Sequence, residues 1–160
     1  MSVLQLKLIN ALEKVFLDEE PVERPEDGLL SGFQNETISF QAAYTADSNG
    51  PIYVTCRVES PIGAHIHVRR VGHVPVRFAC FKDSGDNYLR KTPGLYPDVL
   101  QEIGEHNLRA RGGQWDTLWI DVEPDGEVEP GDYPVTIELS TGISEDEPVR
   151  RTQTVRILPG

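Results

Sequence analysis

At 160 residues and 38% hydrophobic content, the chain has the length of one ordinary domain and enough apolar material for one core. Asp and Glu number 26 against 15 Lys and Arg, a net charge of −11. That argues against nucleic acid or an anionic membrane as partner, because phosphate binding needs a concentrated positive patch and the local basic clusters are Arg69-Arg70 and Arg150-Arg151. No run approaches the roughly 18 apolar residues of a membrane-spanning helix.

The segment Met1–Asn10 has no basic start, long apolar stretch or small-residue cleavage site, so it does not read as a secretory signal. With Met1 as the native start, the expected compartment is the cytoplasm. Leu4, Leu6 and Leu8 alternate with Gln5 and Lys7, the pattern of a half-buried strand. Leu12, Val15 and Phe16 then take helical spacing, which predicts one or two helical turns over Ala11–Phe16. Asp18 to Leu29 is acidic, contains two prolines and a glycine, and reads as a loop. Asn35-Glu36-Thr37 matches a glycosylation acceptor, a pattern common by chance.

Ile38, Phe40, Ala42 and Tyr44 share one face of a strand over Glu36–Thr45. Asp47–Gly50 has strong turn chemistry, and Ile52, Val54, Cys56 and Val58 alternate beyond it, so a hairpin is expected. Ala64, Ile66 and Val68 alternate against His65, His67 and Arg69, and Val74, Val76, Phe78 and Cys80 predict a further strand. Lys82 to Arg111 is the longest irregular region, with Asp83–Asn87 and Thr92–Asp98 unsuited to continuing a strand and Val99–Ile103 a candidate helical turn. Three strands close the chain, carried by Leu118, Ile120 and Val122, by Tyr133, Val135, Ile137 and Leu139, and by Gln153, Val155 and Ile157.

About seven to nine short strands with frequent turns predict an all-β domain, a two-sheet antiparallel β-sandwich of immunoglobulin-like or jelly-roll type with one long irregular loop. Residues 1–160 read as a single such domain, with Leu158-Pro159-Gly160 as the start of a linker in a longer protein. Cys56 and Cys80 fall on apolar sides of their runs and read as buried free thiols, with a disulfide between neighbouring strands as the alternative.

Candidate chemistry is sparse. His65 and His67 sit two apart on one strand face and could share a metal, with His73, Asp83 or Asp86 as a third ligand, but the competing reading is a solvated polar face. Asp83–Asn87 is rich in oxygen ligands for calcium yet lacks the spacing that makes an EF-hand specific, and a plain turn is preferred. Trp115 and Trp119 lie opposite Leu118, Ile120 and Val122 and could form a platform on which sugar rings stack. The competing reading covers that face with the Lys82–Arg111 segment or a neighbouring domain. The carboxylates crowd into charged loops, and no nucleophile elbow, phosphate-binding glycine loop or Cys-x-x-Cys occurs, so no catalytic residue and no cofactor is assigned.

Four segments in order carry a resemblance. Asn35–Gln41 is similar to the asparagine-glutamate … phenylalanine-glutamine strand near the start of glycoside-hydrolase-like proteins that carry domain of unknown function 4091, relatives of glycoside hydrolase family 123. Gly94–Asp98 resembles their glycine-aromatic-proline-aspartate loop, Leu118–Val122 their tryptophan-hydrophobic-aspartate-valine strand, and Pro130–Tyr133 the turn that follows it. The resemblance implies an amino-terminal β-sandwich preceding a (β/α)8 barrel that holds the catalytic acidic pair and, in the characterised branch, acts on N-acetylhexosaminides by substrate-assisted chemistry. On that footing the expected role is a non-catalytic domain that packs against the barrel and lends Leu95–Asp98 to the rim of its active site. The alternatives are a carbohydrate-binding module using Trp115, Trp119 and Tyr96 on a glycan, and a metal-dependent domain using His65 and His67.

Overall fold

A computed structural model describes residues 3–25, 28–77, 89–104, 108–143 and 145–160. The chain forms two five-stranded sheets packed face to face. The first is ordered β1 (Leu4–Asn10), β3 (Ile38–Ala46), β8 (Asp116–Val122), β5 (Ile66–Val76) and β6 (Gly94–Glu102). The second is ordered β2 (Leu30–Phe33), β10 (Val149–Leu158), β9 (Gly131–Thr141), β4 (Ile52–Glu59) and β7 (Arg109–Ala110). Neighbours are antiparallel except β2 and β10, which run parallel. The expected two-sheet sandwich is present, with that one departure.

The core lies where the alternating apolar series of the two sheets meet. Leu4, Leu6 and Leu8, then Phe40 and Ala42, then Leu118, Ile120 and Val122 face Val135, Ile137, Leu139, Val155 and Ile157, all buried. Withdrawing each larger side chain from water contributes about 1.5–3 kcal/mol. Gln153 is also buried, in register with those apolar residues, and its Nε2 is satisfied by the carbonyls of Gly28 at 2.7 Å and Thr154 at 2.9 Å. Cys56 is a free, half-buried thiol whose pKa burial pushes up to about 11, while Cys80 lies outside the described residues.

Several local expectations are corrected. β3 and β4 do not form a hairpin. β3 is flanked by β1 and β8, so both of its hydrogen-bonding edges are taken, and the Asp47–Gly50 turn carries the chain across to the other sheet. Turn chemistry reverses the chain but says nothing about which sheet receives the next strand. The strands expected around Val68 and Val76 are one continuous β5, bent by a register shift between Val71 and His73, and Phe78 lies outside the described residues. At Gly72, inside that bulge, an added Cβ would lie 2.6 Å from Val99 Cγ1, so glycine lets β6 approach closely.

The Lys82–Arg111 region contains β6 and β7, and Val99–Glu102 is extended, not helical. Pro97 does not break β6 because, among the described residues, β6 is an edge strand paired only with β5. Ala11–Phe16 forms a turn closed by Glu13 N donating to Asn10 O at 3.1 Å and then runs irregularly, without a helix. Its apolar residues point into separate contacts: Val15 is buried with Ile9, Ala43 and Trp115, and Phe16 packs on Tyr96 and Arg90. β2 has no counterpart in the sequence reading. It ends in a tight turn at Asn35, whose φ of 63° suits asparagine, with Phe33 N bonded to Glu36 Oε2 at 2.8 Å.

Candidate functional site

The outer face of the first sheet carries most of the residues singled out by sequence. Register places Asp121 of β8 opposite Ser39 of β3 and His67 of β5, and Trp119 opposite Gln41 and Arg69. Asp121 is only 4% exposed, though it lies away from the apolar interior. Its carboxylate accepts hydrogen bonds from Ser39 Oγ, Arg69 Nη2 and, at 2.8 Å, Trp119 Nε1. A carboxylate held by three donors, two on Oδ1 and one on Oδ2, ties its neighbours together as a scaffold. Beside it, His67 Nε2 lies 3.1 Å from Glu102 of β6.

Trp119 floors a depression of about 190 Å³, with Lys14, Gln41, Val71, Pro97 and Leu100 among its walls. Gln41 is buried and ties the preceding turn to this face, its Nε2 donating to the carbonyls of Asn10 at 2.9 Å and Glu13 at 2.6 Å. Lys14 Nζ reaches Pro97 O at 3.2 Å, so the segment after β1 spans the sheet as far as β6.

Trp115 does not join Trp119 in an open platform. It is 7% exposed, its backbone N–H donates to Leu17 O at 2.9 Å, and Lys7 Nζ stands 5.1 Å from its ring. Tyr96 is half-buried, edge-on to Phe16 with ring centres 5.4 Å apart, and its hydroxyl sits 2.9 Å and 2.6 Å from the carbonyl oxygens of Arg90 and Thr92. Arg90 in turn lies over the Phe16 ring at 3.7 Å and pairs with Asp18 and Glu19. Of the three aromatic candidates, Trp119 lines a depression, and the segment after β1 packs over Trp115.

The histidines take separate partners. His65 sits in a single 3₁₀ turn (Gly63–His65), its Nδ1 4.0 Å from Asp125, while His67 faces Glu102. His73 lies beyond the β5 bulge, its Nε2 buried without a hydrogen bond, and burial together with the charge of Arg70 pushes its pKa down. Among the described residues no three His, Cys, Asp or Glu side chains come together as a metal site; Asp83 and Asp86 lie outside those residues.

A second cavity, of about 460 Å³, opens where one end of the first sheet meets β7, and sequence reasoning missed it. Tyr44, Arg70, Arg109, Arg111 and Asp116 line it. A signal was present. The inward series Phe40–Ala42–Tyr44, Ile66–Val68–Arg70 and Asp116–Leu118–Ile120 each end in a polar residue, and register brings those three ends to one place, Tyr44 opposite Asp116 and Arg70 opposite Leu118. Burial raises the Asp116 pKa to about 6 against the opposing charge of Arg70, and burial raises that of Tyr44 as well.

No protein-family model matches the chain, and no curated protein matches it by sequence. Among solved structures, a family 123 glycoside hydrolase from Clostridium perfringens, described in terms of glycolipid glycan hydrolysis, superposes with a TM-score of 0.72 at 12% identity. The match covers 99% of this chain and 28% of that one, so the chain spans little more than a quarter of the hydrolase. AvmM, described as catalysing macrocyclization in alchivemycin A biosynthesis, superposes with a TM-score of 0.51 at 7% identity, covering 100% of this chain and 91% of that one. Identities this low show a shared sandwich, and the different chemistries of the two neighbours illustrate that the fold alone does not determine activity.

Proposed function

We propose that the chain is a non-catalytic β-sandwich of a glycoside-hydrolase-like protein, packing against and steadying a (β/α)8 barrel that carries the chemistry. The observation that carries this reading is the extent of the likeness: almost all of this chain corresponds to 28% of a family 123 glycoside hydrolase. The side chains agree with a supporting role, since the most buried outer-face carboxylate, Asp121, accepts hydrogen bonds from three neighbouring side chains.

The β6 edge suits the contact. Leu95 and Val99 are exposed on it, Leu89 just before it is 75% exposed, and Leu12 in the segment that crosses toward β6 is 90% exposed. Apolar side chains grouped along an unpaired edge are typical of surfaces that a neighbour covers. In this reading Leu95–Asp98 stands at the rim of the barrel's active site.

Reading the coding sequence beyond Gly160 tests the proposal. A barrel-length continuation with a pair of adjacent acidic residues is the expected result, and a stop codon there overturns it. In the longer protein, L95D and V99D should lower the thermal midpoint while leaving that of the isolated 160-residue chain nearly unchanged.

A second reading, glycan binding, is favoured by the depression floored by Trp119 and edged by Lys14, Gln41 and Asp98. Millimolar hexosaminide oligosaccharides should then shift the Trp119 indole N–H resonance and leave that of Trp115 unmoved. Equal silence from both indoles removes this reading.

A further inference from the structure

The cavity between the first sheet and β7 is unusual for its charge. The chain as a whole carries −11. Yet Arg70 from β5, Arg109 from β7 and Arg111 from the segment after it converge here, against one carboxylate, Asp116. Three arginines and one carboxylate therefore share one lining in a protein whose overall balance is the reverse.

The arrangement has the parts an anion site requires. Guanidinium groups present planar pairs of N–H donors that match the spacing of carboxylate and phosphate oxygens. Arg109 is positioned by stacking over the Tyr53 ring at 5.2 Å, and the loop bearing Arg111 is fixed because Thr45 Oγ1 donates to Arg111 O at 3.0 Å. Gly112 N donates to Ser48 O at 3.2 Å, and a Cβ at Gly112 would fall 2.5 Å from that same oxygen, so the loop is pressed against the end of β3. Two basic side chains thus project from anchored backbone. The volume, about 460 Å³, falls within the usual range for small-molecule pockets, roughly 300–1,000 Å³. Tyr44 and Gln114 add neutral polar groups to the lining, and Pro51 an apolar surface.

We propose that this cavity binds a small ligand carrying a carboxylate or phosphate group, held by Arg109 and Arg111 at the mouth and Arg70 on the wall. Asp116 opposes the ligand's charge and limits its affinity. The site is separate from the edge offered above as the barrel contact, so the inference stands whether or not that reading holds.

Titration calorimetry on the 160-residue chain, with glucose 6-phosphate, glucuronate, inorganic phosphate and glucose as probes, tests it. Saturable binding of at least one sugar-borne oxyanion is expected, with none for glucose. A preference for glucuronate assigns a carboxylate ligand and a preference for glucose 6-phosphate a phosphate one. Inorganic phosphate binding as tightly as either sugar assigns the site to the oxyanion alone. R109A and R111A alter exposed side chains and should leave the fold intact while weakening binding about tenfold each, the usual effect of losing a charge-assisted hydrogen bond. D116N should tighten it several-fold. Absence of saturable binding by every anion, equal binding of glucose, or unchanged affinity in both arginine variants overturns the proposal.

Discussion

Trp115 and Trp119 lie four residues apart at one strand, on the same side of the first sheet, and meet opposite surroundings. Around Trp115 the segment after β1 folds back to make a dry satellite core with Ile9, Val15 and Ala43. Around Trp119 the neighbours are Asp121 and Arg69, and the ring borders an open depression. The same residue type serves as packing at one end and as part of a polar lattice at the other. One segment some hundred positions earlier in the chain, from Asn10 to Leu17, closes over Trp115 and only borders the opening beside Trp119.

The largest test of this contrast is W115A, which should cost about 3–5 kcal/mol in denaturant unfolding, as for other buried large-to-small changes. W119A should cost distinctly less, and equal losses would break the distinction. Next is D121A. It strands the Arg69 charge, whose Nε already lacks a partner, together with the Trp119 N–H and the Ser39 hydroxyl, and should cost about 2–4 kcal/mol. A loss below about 1 kcal/mol would show that the lattice is held by packing alone.

D116N should act in the opposite direction. The folded pKa of Asp116, about 6, lies above its ordinary 3.8, so folding favours the protonated form. Its contribution is fully present below about pH 3.8 and is lost as pH rises through about 6. Removing the charge should stabilise the domain at pH 7 by on the order of 1–2 kcal/mol, discounted for partial exposure, and flatten the stability profile between those pH values. The smallest effect is expected from R90A. It removes an exposed ion pair with Asp18 and a cation–π contact with Phe16, and thermal unfolding should register about 0.5–1 kcal/mol.

Where alternation persisted, sequence was enough: Leu4, Leu6 and Leu8, Leu118 to Val122, and Gln153 to Ile157 lie in strands facing the core as expected. Period two reports which side of a strand is buried, and β9 and β10 obey it, whereas β3 is buried on both faces because the segment after β1 covers part of its outer side. The period does not report pairing, so the crossing of β3 and β4 to different sheets was invisible at Asp47–Gly50. β6 was hidden by Pro93, Gly94 and Pro97, whose punctuation suits a loop and also suits an edge strand beginning at Gly94. The outer-face lattice was half legible. Trp119 was found because indoles attract notice, whereas Asp121 looked like any surface carboxylate until register set it between Ser39 and His67. The arginine-lined cavity needed three chain-distant ends to meet, which no local pattern records.

The parallel pairing of β2 with β10 has a mechanical consequence. β10 lies between β9 on one side and β2 on the other, with Gln34 N–H bonded to Leu158 O at 3.0 Å beyond the ladder. Because β10 is held on both edges, it cannot leave the second sheet without breaking the ladders to β9 and β2 together.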